Sequence, residues 1–165
     1  MRFGMLRATL LSVAVASVCT WVIPVRGQAQ AAVASPDSAL SIPTADLIQP
    51  ADLNRLLAGN GQKPLVLQVG SHMLFSEAHI AGSEYAGPGS QQAGRKVLQD
   101  RVAAMPRSSF IVIYCGCCPW ERCPNMGPAF KVLHDLGFTN VKALYIAQNL
   151  GADWVDKGYA VERVP

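Results

Sequence analysis

The sequence predicts an α/β domain whose central sheet is largely parallel. Three short apolar runs, at residues 64–69, 110–114 and 140–146, have the length and composition of strands buried on both faces. Around them lie segments whose apolar residues recur at helical spacing, and strands alternating with helices are what a covered parallel sheet requires. The chain has no internal repeat and no run of like charges.

Before the domain comes an export signal. Arg2 and Arg7, with no acid beside them, precede a nearly continuous apolar stretch at 8–25, and Gln28-Ala29-Gln30-Ala31 then offers a small-x-small cleavage site. A membrane anchor competes with this reading, because the run approaches the roughly 20 residues of a spanning helix. Pro24 and the cleavage site favour a signal peptide at residues 1–31, lost together with Cys19. The loss takes Arg2, Arg7 and Arg26 and no acid, so 14 basic side chains fall to 11 against 11 acidic ones. The apparent basicity therefore belongs to export and gives no reason to expect a nucleic-acid partner. The expected product is periplasmic or secreted, without stable membrane insertion after cleavage. Its about 134 residues suffice for one domain with a real core.

Residues 32–46 mix Ala, Ser and Pro without a period and read as a flexible leader, which puts the domain at 47–165. Pro50 opens a helix with Asp52 in its first turn and Leu53, Leu56 and Leu57 on one face; Gly59-Asn60-Gly61 stops it. The strand at 64–69 leads to a loop with a short helix, and residues 85–92, rich in Gly, Ser and Pro, read as irregular. Leu98, Val102 and Met105 mark a helix that Pro106 ends. After the central strand and its cysteine loop, Ala129, Val132, Leu133 and Leu136 mark another, closed by Gly137. A short helix at 152–157 buries Trp154 and breaks at Gly158.

The chemistry concentrates in the loop. Residues 115–123 hold four of the five cysteines, starting where the strand at 110–114 ends. A thiol there faces the start of the next helix, where unpaired N–H groups and the helix dipole favour the thiolate. In such sheets ligands sit at the carboxyl ends of the strands. Cys115 occupies that place.

In this arrangement the chain resembles the rhodanese-like family over residues 47–163. The likeness rests on Leu65-Val66-Leu67-Gln68-Val69, on Glu77-Ala78-His79-Ile80-Ala81-Gly82-Ser83 and on Ile111-Val112-Ile113-Tyr114-Cys115. Gly137-Phe138-Thr139-Asn140-Val141 and Trp154-Val155-Asp156-Lys157-Gly158-Tyr159 complete it. The resemblance implies a three-layer α/β/α fold with a mostly parallel sheet. It also implies a sulfurtransferase that carries sulfane sulfur as a cysteine persulfide, from thiosulfate or a persulfide to a thiophilic acceptor, without a cofactor. His79 is expected to order the turn after the first core strand.

The departures are specific. The family's Asp-x-Arg after the first core strand is Gln68-Val69-Gly70, and its Gly-Gly before the final Trp is missing. Cys115 lies 22 residues before Gly137, about five more than a compact loop of this family gives. Phosphatases of this fold also carry a longer loop, but two prolines and three further cysteines do not suit a phosphate cradle.

Cys115 is the expected nucleophile. Cys117 is its rival, because Cys117 and Arg122 keep the family's spacing of five. Cys117, Cys118 and Cys123 admit three readings: a resolving or relaying thiol, favouring Cys123; a structural disulfide; or, with Cys115, a copper or zinc site. Gly116, Trp120 and Arg122 are the candidate substrate contacts. Arg122 would bind an anionic donor or else be solvated beside Glu121, and Trp120 would cap the pocket or pack the loop. Asn125 reads as a helix N-cap. The expected partners are a small sulfur compound or thiol acceptor and a periplasmic redox protein. The alternative function is a non-catalytic module whose loop binds metal or forms a disulfide-stapled surface.

Overall fold

In the computed structural model residues 42–164 are described; the signal peptide expected at 1–31, with Cys19, and most of the expected leader lie outside them. The packed chain starts with Ile42, which is buried in the core, and a 3-10 turn at Thr44–Asp46 comes next. Both fall in the stretch whose composition suggests a leader. No helix among the described residues is long and apolar enough to cross a membrane.

Five strands form the main sheet: β1 (Leu47–Ile48), β2 (Leu65–Gln68), β4 (Glu84–Tyr85), β5 (Ile111–Tyr114) and β6 (Val141–Leu144). They lie in the order β1-β6-β5-β2-β4, and every pairing is parallel. Two further strands, β3 (His79–Ile80) and β7 (Val161–Glu162), pair antiparallel beside it. The helices are α1 (Pro50–Ala58), α2 (His72–Glu77), α3 (Gln92–Val102), α4 (Met126–Asp135) and α5 (Leu150–Asp153).

Strand side chains alternate between the two faces, so each face gathers its own core. Leu67, Val69, Ile111, Ile113 and Cys115 share one with Leu98 and Val102 of α3 and Ala129, Phe130 and Leu133 of α4. Val66, Val112 and Tyr114 share the other with Leu53 of α1, Leu144 and Trp154. This is the three-layer α/β/α architecture that the sequence predicts.

The signature at 77–83 serves the frame. The buried Tyr114 hydroxyl accepts the Ile80 N–H at 3.1 Å and pairs with Ser83 Oγ at 3.0 Å, tying β5 to the segment around β3. Burial pushes its pKa up to about 12, so it remains a neutral phenol. His79 stacks on Phe75, and its Nδ1 pairs with the Phe75 carbonyl at 2.8 Å, in keeping with a structural role.

Candidate active site

β5 is the middle strand, paired with β6 on one side and β2 on the other, and the chain leaves the sheet at Cys115. Gly116 has φ +74°, a left-handed turn that folds the chain back on itself. The loop is fastened to the segment after β6: the Leu150 N–H donates to the Gly116 carbonyl at 2.9 Å, and the Trp120 N–H to the Ala147 carbonyl at 3.3 Å. A 3-10 turn at Trp120–Arg122 then brings the chain to α4.

The two replaced family positions lie directly under the cysteine. Gln68 Nε2 donates to the Cys115 carbonyl at 3.2 Å, and Gln68 Oε1 accepts the Gly70 N–H at 3.2 Å. A neutral amide thus joins the ends of β2 and β5 where the family has a charge pair. Gly70 is steric in purpose, because a Cβ there would stand 2.9 Å from Cys115 Sγ. Any side chain at 70, an arginine included, competes with the sulfur for the same space.

Asn125 does something other than the expected capping. No side-chain cap bond closes the start of α4. Instead its Oδ1 accepts both the Ser90 N–H, at 3.0 Å, and the Ser90 hydroxyl, at 2.8 Å. A backbone N–H can only donate, so this fixes which end of the amide is oxygen and aims Nδ2 at Cys115 Sγ, 3.3 Å away. Ser90 gets close because Gly89 has no side chain: a Cβ there would clash with the Asn125 carbonyl at 2.2 Å.

The four thiols differ in surroundings. Cys115 is buried with its Sγ 2.9 Å from Cys117 Sγ; Cys117 is half-buried, with Cys118 Sγ at 3.4 Å. Cys123 is also buried, and none of the four is bonded to another. The Cys123 thiol is held above the ordinary range: Cys115 lowers it, and Cys117 and burial raise it. The nitrogen donor at Cys115 is the Asn125 side chain.

Ionisation reflects this crowding. Hydrogen bonding to Cys117, then to Cys123, and burial all hold the Cys115 thiol above the ordinary range. Cys117 is held far below it by the hydrogen bond from Cys115, then that from Cys123, with burial opposing. Burial, helped by Cys117, pushes Cys118 up to about 12. When the pair loses one proton, the other is shared across the 2.9 Å contact, in which either sulfur can be the donor.

A cleft of about 350 Å³ opens over Cys115, Gly116 and Cys117. Gln68, Glu77 and Asn149 supply its polar lining and Leu74, Leu150 and Val155 most of the apolar one. Of the expected substrate contacts only Gly116 is there. Trp120 is buried against Tyr145, ring centroids 5.3 Å apart, and packs the loop; Arg122 is exposed and outside the lining. The extra residues between Cys115 and the arginine turn Arg122 away, although its spacing from Cys117 is retained.

No family model matches the chain, and neither does any curated protein. Solved structures do. The rhodanese-like domain of the Alr3790 protein from Anabaena sp. is 20% identical with a TM-score of 0.54, over 72% of this chain and 79% of that one. The fold is rhodanese-like. The BH2092 protein from Bacillus halodurans superposes at a TM-score of 0.56, with 23% identity over 72% of this chain and 77% of its own. RPA3614 from Rhodopseudomonas palustris, described as a possible tyrosine phosphatase, gives 0.52 at 17% identity over 71% and 84%. Likenesses at these identities show the fold alone, and the chemistry of this chain has to be argued from its site.

Proposed function

We propose that the protein is an exported sulfurtransferase that carries sulfane sulfur as a persulfide on Cys115. The observation that carries this is Asn125 Nδ2 at 3.3 Å from Cys115 Sγ, at the carboxyl end of the central parallel strand and on the floor of a cleft. A fixed N–H donor there favours charge on the sulfur as it attacks and on the persulfide that results.

The lining also narrows the donor. Leu74, Leu150 and Val155 line the cleft with the sulfurs, Glu77 brings a carboxylate, and no lysine or arginine is among its described lining residues. A compact dianion such as thiosulfate would enter without a countercharge. A persulfide or thiosulfonate with an apolar body and a lower charge suits the cleft better. The acceptor would be a small thiophile or a thiol.

The test is thiocyanate formation from benzenethiosulfonate and cyanide. With cyanide in excess, so that it intercepts the persulfide, the wild type should turn over, with a higher kcat/KM for benzenethiosulfonate than for thiosulfate. Cys115→Ser should be inactive. Undiminished transfer by Cys115→Ser would refute the assignment.

A second reading, a soft-metal site, draws on the sulfurs of Cys115, Cys117 and Cys118, which lie within 4.8 Å of one another. Three thiolates suit copper(I) or zinc. Yet tetrahedral zinc with bonds of about 2.3 Å holds its sulfurs roughly 3.8 Å apart. The separations of 2.9 and 3.4 Å are shorter, which favours sulfur–sulfur chemistry.

A further inference from the structure

We infer that Cys117 resolves the Cys115 persulfide, releasing hydrosulfide and leaving a Cys115–Cys117 disulfide, so that the protein is a sulfide-releasing reductase of sulfane sulfur as well as a carrier. The inference rests on the persulfide reading above and adds the fate of the sulfur.

Position decides it. Cys117 Sγ stands 2.9 Å from Cys115 Sγ, closer than ordinary van der Waals contact between sulfurs. The left-handed turn at Gly116 folds residues two apart together. An outside acceptor must come down the cleft to a cysteine that is 4% exposed, whereas Cys117 is already beside it. Asn125 Nδ2 reaches both sulfurs, at 3.3 Å to Cys115 and 4.0 Å to Cys117, and can follow charge between them. Cys123, which the sequence favours as the partner, stands outside the group formed by Cys115, Cys117 and Cys118, whose sulfurs lie within 4.8 Å of one another. Cys118 is one sulfur further out, 3.4 Å from Cys117.

The steps balance. In the first, with the proton that the pair shares lying on Cys117 and the charge on Cys115, Cys115 attacks the outer sulfur of the thiosulfonate. A sulfinate leaves with the electron pair of the broken S–S bond, and the products are Cys115–S–S⁻ and Cys117–SH. In the second, Cys117 sulfur attacks Cys115 Sγ. The Cys117–Cys115 bond forms, the bond to the outer sulfur breaks, and that sulfur departs with the electron pair and the Cys117 proton as HS⁻. Two cysteine sulfurs have been oxidised to a disulfide and one sulfane sulfur reduced to sulfide. A dithiol then exchanges with the disulfide, restoring both thiols and becoming a disulfide itself. This assigns a task to the redox partner that the sequence leads one to expect.

The experiment adds one equivalent of benzenethiosulfonate to the reduced wild-type protein, free of reductant and cyanide. Sulfide is read with an ion-selective electrode and the thiols by peptide mass. The expected result is one hydrosulfide per chain, a Cys115–Cys117 disulfide, and no further release until dithiothreitol is added. Cys117→Ser should release none and hold the persulfide on Cys115. A wild type that keeps its persulfide and releases no sulfide overturns this inference and leaves the sulfurtransferase reading intact. Protein that acquires neither persulfide nor disulfide, in wild type and variant alike, overturns both. Should Cys117→Ser fail to fold, the wild-type peptide map still decides: a Cys115–Cys117 bond supports the inference, and a bond from Cys115 to Cys118 or Cys123 overturns it.

Discussion

Replacing Asn125 with aspartate isolates the contact on which the site depends. The substitution keeps an oxygen for the Ser90 N–H and hydroxyl, now at 3.0 and 2.8 Å, and replaces the N–H donor 3.3 Å from Cys115 Sγ with a second carboxylate oxygen. A hydrogen bond to a charged group contributes about 1.5–3 kcal/mol. At about 1.4 kcal/mol per decade, its loss from the attacking thiolate predicts persulfide formation slower by roughly 10- to 150-fold. Like charge beside the sulfur adds to the deficit at neutral pH. Asn125→Ala loses the same donor and also leaves the Ser90 N–H without its acceptor, so it should lower the melting temperature more than aspartate does. The assay is single-turnover persulfide formation across pH, read beside thermal melting. Asn125→Asp with the wild-type rate and an unchanged pH profile would show that the amide does not act on the sulfur.

Other positions give equally direct expectations. Gly70→Ala places a Cβ 2.9 Å from Cys115 Sγ, and overpacking of this kind costs about 1–3 kcal/mol; slow thiocyanate formation in a folded protein is the expected outcome. Tyr114→Phe strips the Ile80 N–H and Ser83 of their partner and should lower stability by about 1–3 kcal/mol in denaturant unfolding. Alkylation by iodoacetamide reports ionisation: a depressed pKa keeps the thiolate populated as pH falls, so Cys117 should still react at mildly acidic pH where Cys118, pushed up to about 12, does not. A Cys117 profile with its midpoint at the ordinary thiol value would contradict the shared-proton pair.

The elements that bury the most were the ones legible in the sequence. Apolar runs mark β2, β5 and β6 because both faces of each are covered, and helical periodicity marks α1, α3 and α4 because each packs a single stripe of side chains. Strands of two residues, such as β1, β4 and the β3–β7 pair, are too short to show any period. At the site, the end of an apolar run was enough to place Cys115 at the carboxyl edge of the sheet. The tasks of Gln68, Gly70 and Ser90 were not legible, since each depends on a distance across neighbouring strands or loops. Asn125 drew notice for the wrong reason: its place before a helix suits a cap, and only its contact with Ser90 shows the amide turned toward sulfur. Arg122 shows the converse, a family spacing kept in sequence while a longer loop carries the side chain out of the cleft.

The central claim is that sulfur is carried on Cys115. Its most direct test is peptide mapping of Cys117→Ser after brief exposure to benzenethiosulfonate, with the resolving thiol absent. The account predicts one added sulfur atom, located on Cys115 and lost on treatment with cyanide. Added sulfur on Cys118 or Cys123 with Cys115 unmodified, or none on a folded protein, would contradict it.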